Sequence, residues 1–258
     1  MNALNKVNAD LSTHELRLAT GEKVNSASDN PADYEIGTGL ESTSNVLTQA
    51  LGNVSDGQSL LGIAQGGQQE IQSILETMQT EVTQAANGTL GTPQLTAIQN
   101  ELTGQANEID SVVGQTTYNG ISLLDGTFSA SLQVGAATTD TMSIAIGQNF
   151  SAASLGVSSL DVSTAAGAIS AIAAINNALT LANASMGAVG SFSSSLNFTS
   201  DLLSTMITNT DAAKSSIMDA NVAQEQMAVS KDQILQQTAT AALSQANTAP
   251  DSLLKLFQ

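Results

Sequence analysis

The stretch Asp211–Gln258 reads D-A-A-K-S-S-I-M-D-A-N-V-A-Q-E-Q-M-A-V-S-K-D-Q-I-L-Q-Q-T-A-T-A-A-L-S-Q-A-N-T-A-P-D-S-L-L-K-L-F-Q. It holds no glycine, and its one proline is Pro250. Ala, Gln, Met and Leu dominate, and all favour helix. Ala213, Ile217, Ala220, Met227 and Ile234 recur at coiled-coil spacing, with polar Gln224 and Lys231 in the same register. This predicts one long helix over 211–258 with a narrow apolar seam. A narrow seam builds no core alone, so the helix needs a partner. Leu4, Val7, Leu11, His14 and Leu18 repeat at the same spacing at the other end of the chain.

Composition agrees with helix packing. Of 258 residues, 41% are hydrophobic but only 3% aromatic, and Trp is absent. A core of Ala, Leu, Ile, Val and Met suits closely packed helices better than a sandwich built on aromatic anchors. Without Cys there is no disulfide framework, thiolate metal site or Cys nucleophile. The net charge is −17, and the six bases, Lys6, Arg17, Lys23, Lys214, Lys231 and Lys255, all lie near the ends. Val24 to Asp211 therefore carries sixteen acids and no base. Such a segment repels phosphate backbones and anionic membranes, so neither nucleic acid nor membrane insertion is expected. The ends, with seven acids and six bases, are nearly balanced and free to pack against copies of themselves. Ala165 to Ala184 is apolar but interrupted by Asn176, Asn177 and Asn183, so it reads as a bundle helix. No basic region followed by an apolar run opens the chain, so export without a cleaved signal is the expectation.

The chain in order supports this layout. Asn2 to Thr20 reads as a helix ended by Gly21. His14, the single histidine, reads as a packed seam residue, with no second imidazole or thiol to share a metal. Gly21 to Asp33 is a linker in which Asp29 is the expected N-cap and Pro31 starts the next helix. From Ile36 a heptad register runs without a skip through Leu40, Thr43, Leu47, Ala50, Val54, Gly57, Leu61, Ala64, Gln68, Ile71, Leu75, Met78, Val82 and Ala85. It predicts a rod of about 75 Å. Thr43, Gly57 and Gln68 are its poor positions, and Asp56-Gly57 and Gly66-Gly67 are candidate bends. A turn at Gly88, Gly91 and Pro93 leads to a returning helix marked by Leu95, Ile98, Leu102, Ile109 and Val112. Phe128 to Val134 and Met142 to Ile146 alternate apolar and polar, which predicts a β-hairpin. Ser151 to Thr164 reads as solvated loops, with glycan attachment the alternative. Ser163-Thr164 caps a helix whose seam is Ile172, Ile175, Leu179, Ala182, Met186 and Val189, continuing at Leu202, Leu203 and Met206.

The expected fold class is mainly α: an elongated antiparallel helical bundle or coiled coil with a small β-hairpin region and paired N- and C-terminal helices. The expected divisions are 1–33, 34–210 and 211–258. No catalytic, cofactor or metal site is expected. Glu108 and Asp110 face different sides of a helix, and His14 has no nucleophile–base arrangement. With only Tyr34 and Tyr118 as tyrosines, aromatic platforms for a polysaccharide are scarce.

Several segments resemble one family. Ile217-x-Asp219-Ala220-Asn221-x-Ala223-x-Glu225, Gln233-Ile234-Leu235-Gln236-Gln237 and Ala246-Asn247-x-x-Pro250-x-x-Leu253-Leu254 resemble the carboxy-terminal signature of bacterial flagellins. Leu18, Gly21, Asn25, Ser26, Ala27, Asp29, Ala32 and Ile36 resemble the amino-terminal one. Asn53-x-x-Asp56-Gly57-x-Ser59, Gln84 to Thr89, Gly114 to Gly120, Leu132 to Gly135 and Ser154-Leu155-Gly156 are similar to segments of the flagellin body. The resemblance implies a compact flagellin without a large outer domain, polymerising outside the cell into a helical filament for motility. The implied partners are copies of itself, an export chaperone on the C-terminal helix, and filament cap and junction proteins. The implied assembly residues are Leu4, Val7, Leu11, Leu18, Ile217, Met227, Ile234, Leu235, Leu243, Leu253 and Leu254. A hook–filament junction protein and a flagellin-like adhesin binding polysaccharide are the alternatives.

Three departures stand out. The family's Asn/Thr-rich opening does not precede Asn2, which implies a short inner layer or a truncation. Flagellins that alert the animal innate immune receptor carry arginines just before Q-A-A-N-G. Thr77 and Gln79 stand there here, although Glu101 falls at an expected acidic contact, so weak recognition is the expectation. The family's R-A-x-L-G-A motif survives only as Asn183-Ala184-x-Met186-Gly187-Ala188.

Overall fold

The structure, a computed structural model, describes the backbone of residues 2–256 and the side chains of residues 2–246. Five helices carry most of the described chain: α1 (Asn2–Thr20), α2 (Pro31–Ala85), α3 (Thr92–Gln115), α4 (Ala165–Met218) and α5 (Val222–Leu256). Between α3 and α4 lie two antiparallel pairs, β1 (Thr117–Tyr118) with β2 (Ile121–Ser122), and β3 (Phe128–Gln133) with β4 (Thr141–Ile146). The class is mainly α with a small β region. The chain divides into two compact units, residues 1–45 with 207–258, and residues 46–206.

Local chemistry sets the boundaries. Gly21 ends α1 at φ 77°, with its N–H on the Arg17 carbonyl at 2.9 Å. Asn30, not the expected Asp29, caps α2: its Oδ1 accepts from the N–H groups of Ala32 at 3.2 Å and Asp33 at 3.3 Å. Asp29 instead closes the preceding turn, accepting from the N–H groups of Asn25 and Ser26 at 3.0 and 2.9 Å. Those bonds hold its carboxyl below the usual carboxylate range. Thr164 caps α4, accepting the Gly167 N–H at 3.0 Å. Asn119 at φ 49° and Gly120 at φ 80° form the two-residue turn between β1 and β2.

In the unit 46–206, α2 runs unbroken through Asp56-Gly57 and Gly66-Gly67. Every seam position from Leu47 to Ala85 is buried. The poor positions have distinct fates. A Cβ on Gly57 would lie 2.4 Å from Leu132 Cδ1 and 3.2 Å from Leu196 Cδ1, so the glycine is where sheet and α4 approach the rod. Gln68 is fully buried and donates to Ser185 Oγ at 3.0 Å. The seam fails earlier, within the other unit, where Ile36 and Thr43 are exposed and Gly37 and Ser44 turn inward.

Hydrogen bonds show α4 to be antiparallel to α2 and tie α3 to it. Gln58 donates to Asn197 at 2.8 Å and Gln79 to Asn176 at 2.6 Å on α4, while Gln105 on α3 donates to Glu81 at 2.7 Å. On α4 the buried line runs through Ala168, Ala171, Ile175, Ala178, Ala182, Val189, Leu196 and Leu203. Leu202 and Met206, expected in the core, are 59% and 42% exposed. By length and composition alone α4 is apolar enough to cross a membrane, a property that core helices of helical bundles share. The loop after β4 is held by two side chains of α3. Gln99 donates to the Leu160 carbonyl at 2.7 Å and accepts from the Val162 N–H at 2.9 Å. Asp110 accepts from the Ala152 N–H at 2.8 Å.

Candidate assembly interface

The unit 1–45 with 207–258 brings the chain ends together. α1 and α5 pack antiparallel: Gln236 donates to Asn8 Oδ1 at 2.8 Å, and His14 Nδ1 lies 2.5 Å from Glu225 Oε2. The seam on α1 is the expected one, with Leu4, Val7, Leu11, His14 and Leu18 half-buried.

The C-terminal seam differs from expectation in two ways. The predicted single helix is two, because α4 stops at Met218 and α5 starts at Val222. Asn221 caps the new helix, accepting the Gln224 N–H at 3.3 Å, so Asn221-x-x-Gln224 was a visible start signal. The break is held from far along the chain. Lys23 donates its N–H to the Met218 carbonyl at 2.7 Å, and Ala220 donates to the Gly21 carbonyl at 2.8 Å. Beneath it Met218 is buried over Gly37, where an added Cβ would lie 2.3 Å from the Met218 sulfur.

The second difference is the face of α5. Towards α1 it presents Glu225, Ala228, Val229, Asp232, Gln236, Ala239 and Leu243, all buried or half-buried. The predicted line Gln224, Met227, Lys231 and Ile234 is exposed, Met227 at 65% and Ile234 at 61%. Hydrophobicity alone favoured the wrong stripe, because the true one includes Asp232 and Gln236.

Those polar residues have partners. His14 Nε2 lies 3.8 Å from Asp232 Oδ2, and Arg17 Nη1 lies 3.6 Å from Glu225 Oε1. The imidazole thus sits between two carboxylates, one on each nitrogen. Further bonds hold the neighbouring segments: Lys214 lies 3.4 Å from Glu41, and Ser44 donates to Asp211 at 2.6 Å.

Of the expected assembly residues, Leu4, Val7, Leu11, Leu18, Ile217 and Leu243 are half-buried within the chain itself. Met227, Ile234 and Leu235 remain exposed, and the side chains of Leu253 and Leu254 lie outside the described residues. Of the three positions compared with receptor-binding flagellins, Thr77 and Glu101 are exposed, and Gln79 is half-buried on its bond to Asn176. Glu101 lies near Glu81, whose carboxyl is pushed up, first by burial and then by the Glu101 charge. Among the described residues no group of three His, Cys, Asp or Glu side chains is placed to hold a metal.

Long helices, the first and last of them paired, with apolar side chains exposed on α5, define a mainly α protein with no chemistry gathered in a pocket among the described residues. The comparisons specify which. The description "Bacterial flagellin N-terminal helical region" matches residues 1–129, and "Bacterial flagellin C-terminal helical region" matches residues 172–257. Flagellin FlaB1 of Treponema pallidum is 29% identical, covering 94% of this chain and 90% of its own length. The flagellin of Bacillus subtilis is 28% identical, covering 100% of this chain and 97% of its own. The crystal structure of Bacillus cereus flagellin is 28% identical, with a TM-score of 0.54 over 63% of this chain and 94% of that one. The chain belongs to the bacterial flagellin family, in the compact form without a large outer domain, and is a structural subunit of the flagellar filament.

Proposed function

We propose that the filament contacts of this flagellin are made by the ridge Met227, Ile234 and Leu235, while Leu4, Val7, Leu11, Leu18 and Leu243 serve the pairing of α1 with α5. The observation that carries this is the exposure of Met227 and Ile234, at 65% and 61%, on a helix whose opposite face is already covered. Large apolar groups held open on a subunit of a polymer are best explained as sites that neighbouring copies cover. Segments 1–33 and 211–258 then form the inner tube, and the acidic segment 34–210 is the wetted outer body.

An export chaperone covering the ridge on α5 before secretion, and cap and junction proteins at the filament ends, follow from the same exposure. The reading needs no catalytic role and no cleaved signal peptide. Thr77 and Gln79 offer no cation where receptor-binding flagellins place arginines, so engagement of the innate immune receptor is weak. The test is seeded assembly of Met227→Asp and Ile234→Asp, followed by sedimentation. Each substitution removes about 1.5–3 kcal/mol of burial from every contact. The free subunit concentration in equilibrium with polymer should rise at least about tenfold. Unchanged assembly by both variants would refute the ridge as the contact.

A further inference from the structure

We propose that Asn87 is a site of spontaneous deamidation, where the Gly88 nitrogen attacks the side-chain amide and converts it to a carboxylate. The inference concerns the unit 46–206 alone and is independent of the filament contacts proposed above.

Four positions share the covalent arrangement for this reaction: Asp56-Gly57, Asn87-Gly88, Asn119-Gly120 and Asp125-Gly126. A following glycine has no Cβ to shield its nitrogen. A five-membered ring then closes if that nitrogen can swing onto the side-chain carbon. The fold removes three of the four. Asp56 and Gly57 lie inside α2, where the Gly57 nitrogen belongs to the helix ladder. Asp125 accepts from both the N–H and the hydroxyl of Thr127, at 2.9 and 2.7 Å, and Gly126 is packed at φ 82° against the Asn149 backbone. Both aspartates are also ionised at neutral pH, and a carboxylate offers no leaving group. Asn119 holds φ 49° in the two-residue turn closed by the Tyr118–Ile121 pair. Swinging the next nitrogen there means leaving the left-handed conformation that the hairpin requires.

Asn87 is under none of these constraints. It lies outside every helix and strand, and both it and Gly88 are exposed. The Gly88 N–H makes no backbone hydrogen bond, and a Cβ on Gly88 would meet nothing within 4 Å. Thr89 donates its N–H to Asn87 Oδ1 at 3.4 Å, and that oxygen takes the negative charge as the carbon is attacked. Solvent base removes the Gly88 amide proton. The nitrogen bonds to Cγ, the Cγ–Nδ2 bond breaks, and Nδ2 leaves as ammonia with a proton from water. Water then opens the ring at either carbonyl, giving an aspartate or an isoaspartate at this position. The new charge falls just past the end of α2, whose last turn holds no base, so it opposes the helix dipole.

Incubating the folded full-length chain at mildly alkaline pH, followed by peptide mass mapping, tests this. Cleavage after acidic residues isolates Asn87 in fragment 82–101 and Asn119 in fragment 111–125. In the folded chain Asn87 should convert at least about tenfold faster than Asn119. In denaturant the two rates should draw level, because the hairpin no longer holds Asn119. Gly88→Ala is accommodated by the open space around Gly88. It should slow conversion of Asn87 by about tenfold and leave Asn119 unchanged. Equal rates in the folded chain, a preference for Asn87 that persists in denaturant, or an unaffected rate in Gly88→Ala would each overturn the proposal.

Discussion

Gly66 and Gly67 show how much one position's surroundings decide. Both sit inside α2, where glycine is disfavoured relative to alanine. A Cβ on Gly66 meets nothing within 4 Å. Gly66→Ala should raise stability by about 0.5–1 kcal/mol. A Cβ on Gly67 would lie 2.5 Å from Thr116 Oγ1 and 2.9 Å from Leu124 Cδ1. Thr116 is branched and buried, with its hydroxyl bonded to the Val112 carbonyl at 2.7 Å. Gly67→Ala should therefore lower stability by about 1–3 kcal/mol, despite the gain in helix propensity. Chemical denaturation of the two variants tests the opposite signs. Glu81 gives a pH prediction at the same scale. Its carboxyl is raised by burial, and by the Glu101 charge beyond that. A raised carboxyl contributes stability below its unfolded value and loses it as pH rises through its folded value. Glu81→Gln should thus stabilise the fold at neutral pH and flatten the rise in melting temperature on acidification to just below the ordinary glutamate range. It keeps an acceptor for Gln105. A parent-like pH profile in the variant would contradict this origin of the shift.

At the scale of elements, the long helices divide by how their phase is set. In α2 the heptad runs through many positions, so single weak residues are outvoted, and even Gln68 is drawn into the core. The turn at Asn119-Gly120 and the stops at Gly21 and Thr164 follow from local backbone chemistry. The break between α4 and α5 is different. Asn221 makes it possible, and the bonds from Gly21 and Lys23 hold it. Asn221→Ala should cost about 1 kcal/mol in the first turn of α5. Hydrogen exchange should show those amides opening faster, with the unit 46–206 unaffected. Equal protection throughout would mean that the tie to Gly21 and Lys23 suffices alone.

For the whole molecule, charge placement yields a direct experiment. With no Lys or Arg between Val24 and Ala213, trypsin should trim the ends of the monomer and leave one large acidic fragment. Lys231, exposed beside Met227 and Ile234 on α5, should become resistant once filaments form. Cleavage there at equal rates in monomer and polymer would place α5 outside the contacts. The sequence by itself determined the mainly α class, the seam of α2 from Leu47 to Ala85, the hairpin and the pairing of the two ends, because each is written in repeated spacing or in a short backbone signal. Only the tertiary structure decided that the last helix breaks at Asp219 to Asn221, and which of its two stripes meets α1. The physical reason is that α5 carries two usable stripes. The partners of the break, Gly21 and Lys23, and of the face, His14 and Arg17, lie about 200 residues away, and no periodicity within α5 encodes those contacts.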